Sequence, residues 1–232
     1  MEIWNGATPF AAGTINAKAF KKWLSLLDEG KRLAATTGSD THNIYGDDYF
    51  GMTEWLDWLM DIVMKHPEIY PEQMNEKVAY LTWLYKKVWP RLLSWVEQSN
   101  TPSTIHNYVY TNGKNQPQEI LQAIREGHSF ISNGPLVTAE VNGASYGEKA
   151  VLKDNTGKLS VHVFSKKPIN HLWMYTGADK KVELCAKADT AEGGFTYDIA
   201  ADVFDFGDTA WALFVADGGE NNLAISNPIL FA

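Results

Sequence analysis

The residues best suited to chemistry lie in the stretch Gly38–His42, which reads Gly-Ser-Asp-Thr-His. Asp40 and His42 are two positions apart, and on an extended backbone such residues point to the same side. A carboxylate oxygen and an imidazole nitrogen placed in this way can bind one divalent metal ion. The glycine ahead of the pair lets the backbone approach closely, and the hydroxyls of Ser39 and Thr41 can hold the ligands by hydrogen bonds. The stretch therefore predicts a metal site.

The elements around this stretch predict where it would lie in a fold. Leu33–Thr37 is mostly apolar and predicts a buried strand that ends in a polar turn. Met1–Gly6 predicts an earlier strand, and Ala17–Gly30 predicts an amphipathic helix between the two. This order predicts a βαβ unit with parallel strands. The Asp-x-His pair would then follow the carboxyl end of a strand, where α/β folds place their chemistry.

A simpler interpretation of the same five residues is an ordinary turn. Serine, aspartate and glycine are common turn formers, and an Asp-x-His pair on its own is not specific. The metal interpretation therefore depends on the organisation of the rest of the chain.

The segment between the pair and residue 135 mixes helices and strands. Residues 52–98 predict two helices that meet at proline-containing turns, either a lid or a structural αα-hairpin inserted after the metal loop. Thr104–Tyr110 predicts a strand, Pro117–Gly127 a short helix and Ser129–Ser132 another strand. Residues 1–135 are therefore predicted to form one α/β domain.

The pattern changes beyond Pro135. Short β-rich runs follow one another, many of them separated by glycine-containing turns such as Asn142-Gly143. Residues 136–232 are therefore predicted to form a β-sandwich. The predicted strands are Val137–Val141, Leu159–Phe164, His171–Tyr175, Val182–Cys185, Phe195–Ile199, Trp211–Val215 and Ala224–Phe231.

Composition narrows the classes of function. The 232 residues carry a formal net charge of −8, which argues against binding to a nucleic-acid backbone. A phosphorylated substrate stays possible, because a bound metal ion supplies positive charge of its own. The single cysteine, Cys185, excludes an internal disulfide and a cysteine cluster for zinc. The sequence contains no apolar run long enough to span a bilayer.

Several segments, taken in order, resemble the latter half of a PHP (polymerase and histidinol phosphatase) domain of the CehA/McbA-like branch. The resemblance implies a distorted seven-stranded (βα) barrel, present here in part, followed by a β-sandwich. It also implies two or three divalent metal ions, of zinc, manganese or iron, at the carboxyl ends of the strands. The matching segments are Glu2–Gly6, Gly38–His42, Tyr108–Tyr110, Ile120–Ser132, Asn133–Pro135 and Ala224–Ile229.

The resemblance also implies roles for individual residues. The last ligand motif of the family is an Asp-x-His pair, which matches Asp40 and His42. Asn5, at the end of a predicted strand, and His128, near a family loop that approaches the site, are candidate substrate contacts; Asn5 is alternatively part of a plain Asn-Gly turn. The family's earlier motifs, which begin with His-x-His, have no counterpart here, so we expect them upstream of Met1.

Two functions follow as expectations. The first is a metal-dependent hydrolase, a phosphoesterase acting on a small molecule, of which this chain is a fragment that is inactive alone. The second is a non-catalytic β-sandwich binding module carried on a degenerate barrel. If upstream strands are missing, Glu2–Asn5 is an open edge through which the chain could self-associate.

Overall fold

The computed structural model describes residues 1–6, 10–38, 65, 105–113, 115–184, 186–219 and 222–232. The described parts of Met1–Gly38 and Thr104–Ala232 belong to one compact unit. In chain order its elements are β1 (Glu2–Asn5), α1 (Ile15–Asp28), β2 (Thr36–Gly38), β3 (His106–Val109), α2 (Pro117–Glu126), β4 (Ser129–Ser132), β5 (Leu136–Val141), β6 (Lys149–Ala150), β7 (Thr156–Ser165), β8 (His171–Gly177), β9 (Lys180–Glu183), β10 (Ala188–Ala191), β11 (Gly194–Asp205), β12 (Trp211–Asp217), β13 (Leu223–Ser226) and β14 (Ile229–Phe231).

The N-terminal βαβ unit forms, but its second strand is the partly buried Thr36–Gly38 and not the predicted buried run Leu33–Thr37, and Leu33 is exposed. The side chain of Thr14 caps α1 by accepting a hydrogen bond from the backbone N–H of Ala17. The face that carries Trp23, Leu24 and Leu27 is buried, and the Trp23 indole donates to the Leu33 carbonyl at 2.7 Å. β1 and β2 pair in parallel, which confirms the predicted orientation.

Two sheets make up the rest of the unit. A four-stranded antiparallel sheet has the order β10-β11-β7-β5. The larger, mixed sheet runs β9-β8-β12, and β13 and β14 share the next position because each pairs with a different part of β12. Beyond them lie β4 and β3 on one side and the short β6 on the other.

The central strands of the mixed sheet are buried on both faces. On one face it packs against the four-stranded sheet through residues such as Val137, Val161 and Phe214. On the other it packs against the βαβ unit, where Leu213 and Trp23 share a core. β12 is therefore a continuous apolar run, because alternate side chains enter different cores.

The predicted (βα) barrel is wrong. Within the described ranges the only parallel strand pairs are β1–β2 and β6–β14, and no sheet closes on itself. In a barrel repeat α2 would link two parallel strands, but it connects β3 to an antiparallel neighbour, β4. β4 also pairs antiparallel with β13. All four of its residues are buried, so it is a central strand of the mixed sheet.

The structure of residues 136–232 agrees with the β-sandwich predicted for this range. Two sheets face each other across one core, as expected for a β-sandwich, and the described part of this range contains no helix. The boundary at residue 135 stays a prediction, although strands from both sides of it share the mixed sheet. The 52–98 hairpin lies outside the described residues, apart from Lys65.

Two asparagine side chains join β2 to the mixed sheet. The fully buried Asn227 side chain bonds the backbone N–H and carbonyl of Ala35, and also Ser129 at the start of β4. The exposed Asn107 bonds the backbone N–H and carbonyl of Thr37. Ala35 is thus level with Ser129, and Thr37 is level with Ile131, the partner of Asn107. β2 therefore runs in the same direction as β4, and Gly38 lies toward the carboxyl end of β4.

Candidate functional site

The carboxyl end of the β1–β2 pair is held by several hydrogen bonds. Asn5 lies opposite Gly38 in the parallel register, and the N–H of Gly6 donates to the Gly38 carbonyl at 2.8 Å. The buried amide of Asn16, in the first turn of α1, bonds both the N–H and the carbonyl of Asn5, at 2.9 and 3.1 Å. These hydrogen bonds hold the backbone of Asn5 and Gly38 in place at the strand end that precedes Ser39.

The four residues predicted to form the site are distributed as follows. Asp40 and His42 lie outside the described residues, so their role as metal ligands stays a prediction. Asn5 lies at the expected strand end, directly across from Gly38. His128 lies elsewhere, as described below.

The edge of β1 has less exposed apolar surface than expected. Ile3 and Trp4 are only 1% and 3% exposed, because both pack in the core that contains α1. Asn16 occupies the backbone polar groups of Asn5. Self-association through this edge stays a prediction.

His128 lies at the opposite end of the β3–β4 pair from Gly38. It precedes the first residue of β4, and its carbonyl accepts a hydrogen bond from the N–H of Tyr110, after β3. Ala35, the residue before β2, is level with Ser129 through their common partner Asn227. The structure thus brings Asn5 and Gly38 together but places His128 about a strand length away.

His128 lines a cleft of about 520 Å³. Three segments form the walls: the turn after β3 at Tyr110–Asn112, the helix α2, and the turn at Ser145–Glu148. This volume falls within the range of roughly 300–1,000 Å³ that is typical of small-molecule sites. The cleft is the candidate binding site among the described residues.

The position of α2 beside this cleft is set by its ends. A capping box between Gln116 and Glu119, with Pro117 in the first turn, starts the helix. Gly127 ends it in the left-handed conformation, with φ of 81°. Gly147 packs directly on the backbone of this C-terminus, so the helix and the 145–148 turn form one continuous wall.

The charge of the cleft is negative. Glu119, Glu126 and Glu148 line it, and none of the described lining residues is lysine or arginine. The His128 Nε2 lies 3.4 Å from the Oε2 of Glu126. Carboxylates only accept hydrogen bonds, so this cleft favours ligands that donate them and disfavours anions.

Sequence reasoning pointed to His128 but missed the other residues of the cleft. Tyr110, Glu126 and Glu148 come from three separate segments, and no local spacing links them. The one local signal is the Asn112-Gly113 turn, whose positive φ values of 50° and 79° turn the chain back after β3.

The described residues hold no preformed metal centre. Within those ranges, no three histidine, cysteine, aspartate or glutamate side chains form a group that could hold a metal ion. An exposed pair of the same types as Asp40 and His42 does occur on the four-stranded sheet, where His162 Nδ1 lies 2.6 Å from Asp198 Oδ1.

Tyr146, in the wall of the cleft, should make stability depend on pH. Burial raises the pKa of its hydroxyl well above the ordinary value of 10.0, and that hydroxyl donates to the Val137 carbonyl at 3.0 Å. The unfolded chain ionises near the ordinary value, so the stabilisation is complete below that pH and is lost as the pH rises toward the folded pKa. The free energy of unfolding should fall by up to about 1.4 kcal/mol per pH unit in that window.

The measurement is urea unfolding of the parent and of Tyr146→Phe across this alkaline window. The variant should be less stable by about 1 kcal/mol near neutral pH, because the Val137 carbonyl loses its donor, and its stability should fall less steeply above about pH 10. Tyr175→Phe is the comparison: burial also raises the pKa of Tyr175, but this side chain is only half-buried. Equal slopes for the parent and Tyr146→Phe would contradict the prediction.

Comparison of the chain with protein-family models, with curated proteins and with solved structures gives no match. In the part of the chain that the structure describes, no helix is both long and apolar enough to cross a membrane.

Proposed function

We propose that this protein binds a divalent metal ion through Asp40 and His42 and takes part in metal-dependent hydrolysis of a phosphoester, as the resemblance to PHP proteins implies. The observation that supports the proposal is the parallel β1–β2 pair. Its strands end side by side at Asn5 and Gly38, and the Asp-x-His pair begins two residues later. Such strand ends are where α/β units assemble catalytic groups.

The donor set suits this chemistry. One carboxylate oxygen and one imidazole nitrogen are ligands that zinc, manganese and iron all accept. When bound, such an ion supplies hydroxide near neutral pH and stabilises negative charge on phosphoryl oxygens. Two side chains leave most coordination positions to other groups, so we expect the affinity of this chain alone to be low.

Asn5 is proposed to orient the substrate. Its backbone is fixed by Asn16, so its position beside Gly38 is defined before any ligand arrives. A carboxamide can both donate to and accept from a phosphoester or its leaving group. Because His128 lies at the other end of the β3–β4 pair, it is not part of this proposal.

Metal binding by the full 232-residue chain tests the proposal. Equilibrium dialysis against Zn²⁺, Mn²⁺ or Fe²⁺, read by elemental analysis, should show weak saturable binding. Asp40→Ala and His42→Ala should each weaken it about tenfold or more, because each removes one of two protein ligands. Release of p-nitrophenol from p-nitrophenyl phosphate and its diester, with and without metal, gives the catalytic readout.

The exposed pair His162 and Asp198 provides the matched control. It has the same residue types and already lies within contact distance, so adventitious binding to a surface His–Asp pair should occur there too. His162→Ala and Asp198→Ala should leave metal content unchanged. Equal losses from both pairs, or no loss from Asp40→Ala and His42→Ala, would contradict the proposal.

A non-catalytic binding module is the second candidate, and the cleft beside α2 favours it. Twelve described residues line that cleft, and none of them belongs to β1 or β2. Ligand binding in the cleft, together with metal content that neither Asp40→Ala nor His42→Ala lowers, would support the module over the enzyme.

A further inference from the structure

We propose that the cleft beside α2 binds an uncharged saccharide, through the exposed ring of Tyr110 and the amides and carboxylates around it. Among the described residues, neither strand β1 nor strand β2 contributes to the walls of this cleft.

The first argument is the aromatic side chain at the entrance. Tyr110 is 60% exposed, whereas the rings of Tyr108 and Phe130 stack on each other at 4.8 Å between centroids. Its backbone is held by the hydrogen bond from its N–H to the His128 carbonyl, so the exposed position is fixed. A flat ring at the edge of a polar cleft offers apolar contact to one face of a sugar ring.

The second argument is the supply of polar groups without partners. The side-chain amides of Asn112 and Gln118 and the hydroxyl of Tyr110 make no hydrogen bond within the described ranges, although all three residues line the cleft. Amides both donate and accept. They match sugar hydroxyls, which also do both, better than they match an ammonium group, which only donates.

The third argument concerns the carboxylates. Glu119 uses one oxygen to accept from the Gln116 N–H, and Glu148 uses one to accept from the Ser145 N–H at 2.7 Å. These local bonds fix both side chains toward their own turns, and the second oxygen of each has no partner among the described residues. Fixed acceptors select ligands with hydroxyl donors and repel phosphate and carboxylate ligands.

Titration of the full chain with plain saccharides tests this inference. Glucose, galactose, mannose, N-acetylglucosamine and short oligomers of glucose are added separately while backbone amide signals are followed by NMR. At least one should shift the signals of the 110–112, 118–128 and 145–148 segments in a saturable manner. Tyr110→Ala should weaken that binding about tenfold, and Gln118→Ala should weaken it several-fold.

Leu121→Ala is the matched control. Leu121 is also on α2 and is 52% exposed, but it does not line the cleft, so its loss should leave saccharide binding unchanged. Asp40→Ala should also leave it unchanged, which separates this test from that of the metal site. Saturable shifts of the same signals by spermidine, with none by any saccharide, would overturn the inference in favour of a cation site. Absence of shifts with every saccharide at tens of millimolar, or equal binding by Tyr110→Ala, would also overturn it.

Discussion

Replacement of Asn227 by leucine should lower the free energy of unfolding by about 3–5 kcal/mol, because it leaves several buried polar groups without partners. Asn227 is fully buried. Its Oδ1 accepts from the Ala35 N–H at 2.6 Å, and its Nδ2 donates to the Ala35 carbonyl and to both the carbonyl and the hydroxyl of Ser129, at 2.9–3.3 Å.

Leucine is the appropriate substitution because its branched side chain is close to asparagine in shape. The core volume is then nearly unchanged, and the measured loss reports the hydrogen bonds. The affected groups are on Ala35, just before β2, and on Ser129 in β4, which lie 192 and 98 residues from Asn227 in the chain. Loss of this side chain should therefore loosen the βαβ unit from the mixed sheet.

Urea unfolding at neutral pH measures the effect, and Asn107→Ala is the matched control. Asn107 makes the same kind of contact, with the N–H and carbonyl of Thr37 at 3.0 and 2.9 Å, but it is exposed. Water can replace those bonds, so the control should lose about 1 kcal/mol or less. A similar small loss in both variants would show that the buried amide does not hold the layers together.

The βαβ unit can be predicted well from the sequence because that unit is local. Phe20, Trp23, Leu24 and Leu27 recur at helical spacing, and Gly30, with φ of 76°, ends the turn after the helix. The same reasoning places Pro117–Gly127, whose capping residues are contiguous in the chain. Local periodicity and capping determine such elements, so a single sequence is enough to predict them.

The barrel prediction fails because strand partners are not local. β4 pairs with β13, which lies about ninety residues further along the chain, as Ala224 opposite Ser132 shows. A helix between two strands favours a parallel crossover but does not require one, since α2 connects antiparallel neighbours. Which strand occupies the other side of β4 depends on the packing of the whole sheet.

Ala224–Phe231 illustrates a second limit. The sequence predicts one strand over this run, but the run divides at Asn227 and Pro228 into β13 and β14. Proline donates no hydrogen bond, and the Asn227 side chain turns into the core. β12 pairs with β14 at its start and with β13 at its end. Between these two partners, the N–H of Phe214 donates to the Ser226 hydroxyl at 2.9 Å.

The two candidate sites also differ in whether a local sequence pattern is enough to predict them. Asp40 and His42 can be proposed from sequence because a two-residue spacing on extended backbone already defines a common side. The cleft cannot, because its walls come from segments around residues 110, 122 and 146. The pairing of β3 with β4 and the contact of Gly147 with α2 bring them together.

Gly147→Ala should lower the free energy of unfolding by about 3 kcal/mol, because it combines an unfavourable backbone angle with a backbone clash. The φ of Gly147 is +79°, and a Cβ at this position would lie 2.2 Å from the carbonyl oxygen of Glu126. It would also lie 3.0 Å from the carbonyl carbons of Glu126 and Gly127. These atoms form the C-terminus of α2, which cannot rotate away as a flexible side chain could.

Gly143→Ala separates the two contributions. Gly143 has nearly the same φ, +82°, but no heavy atom lies within 4 Å of the position that an alanine methyl would take, so its loss should be about 1 kcal/mol from backbone strain alone. Urea unfolding gives both values, and amide hydrogen exchange along 118–128 shows whether α2 is displaced. Faster exchange there in Gly147→Ala only is the expected result, because relief of the clash must move the helix. Equal losses of stability in both variants, with unchanged exchange, would mean that the contact of Gly147 does not position the helix. The wall of the cleft would then have to be held by Tyr146 and by the hydrogen bond from the Gly147 N–H to the Pro228 carbonyl.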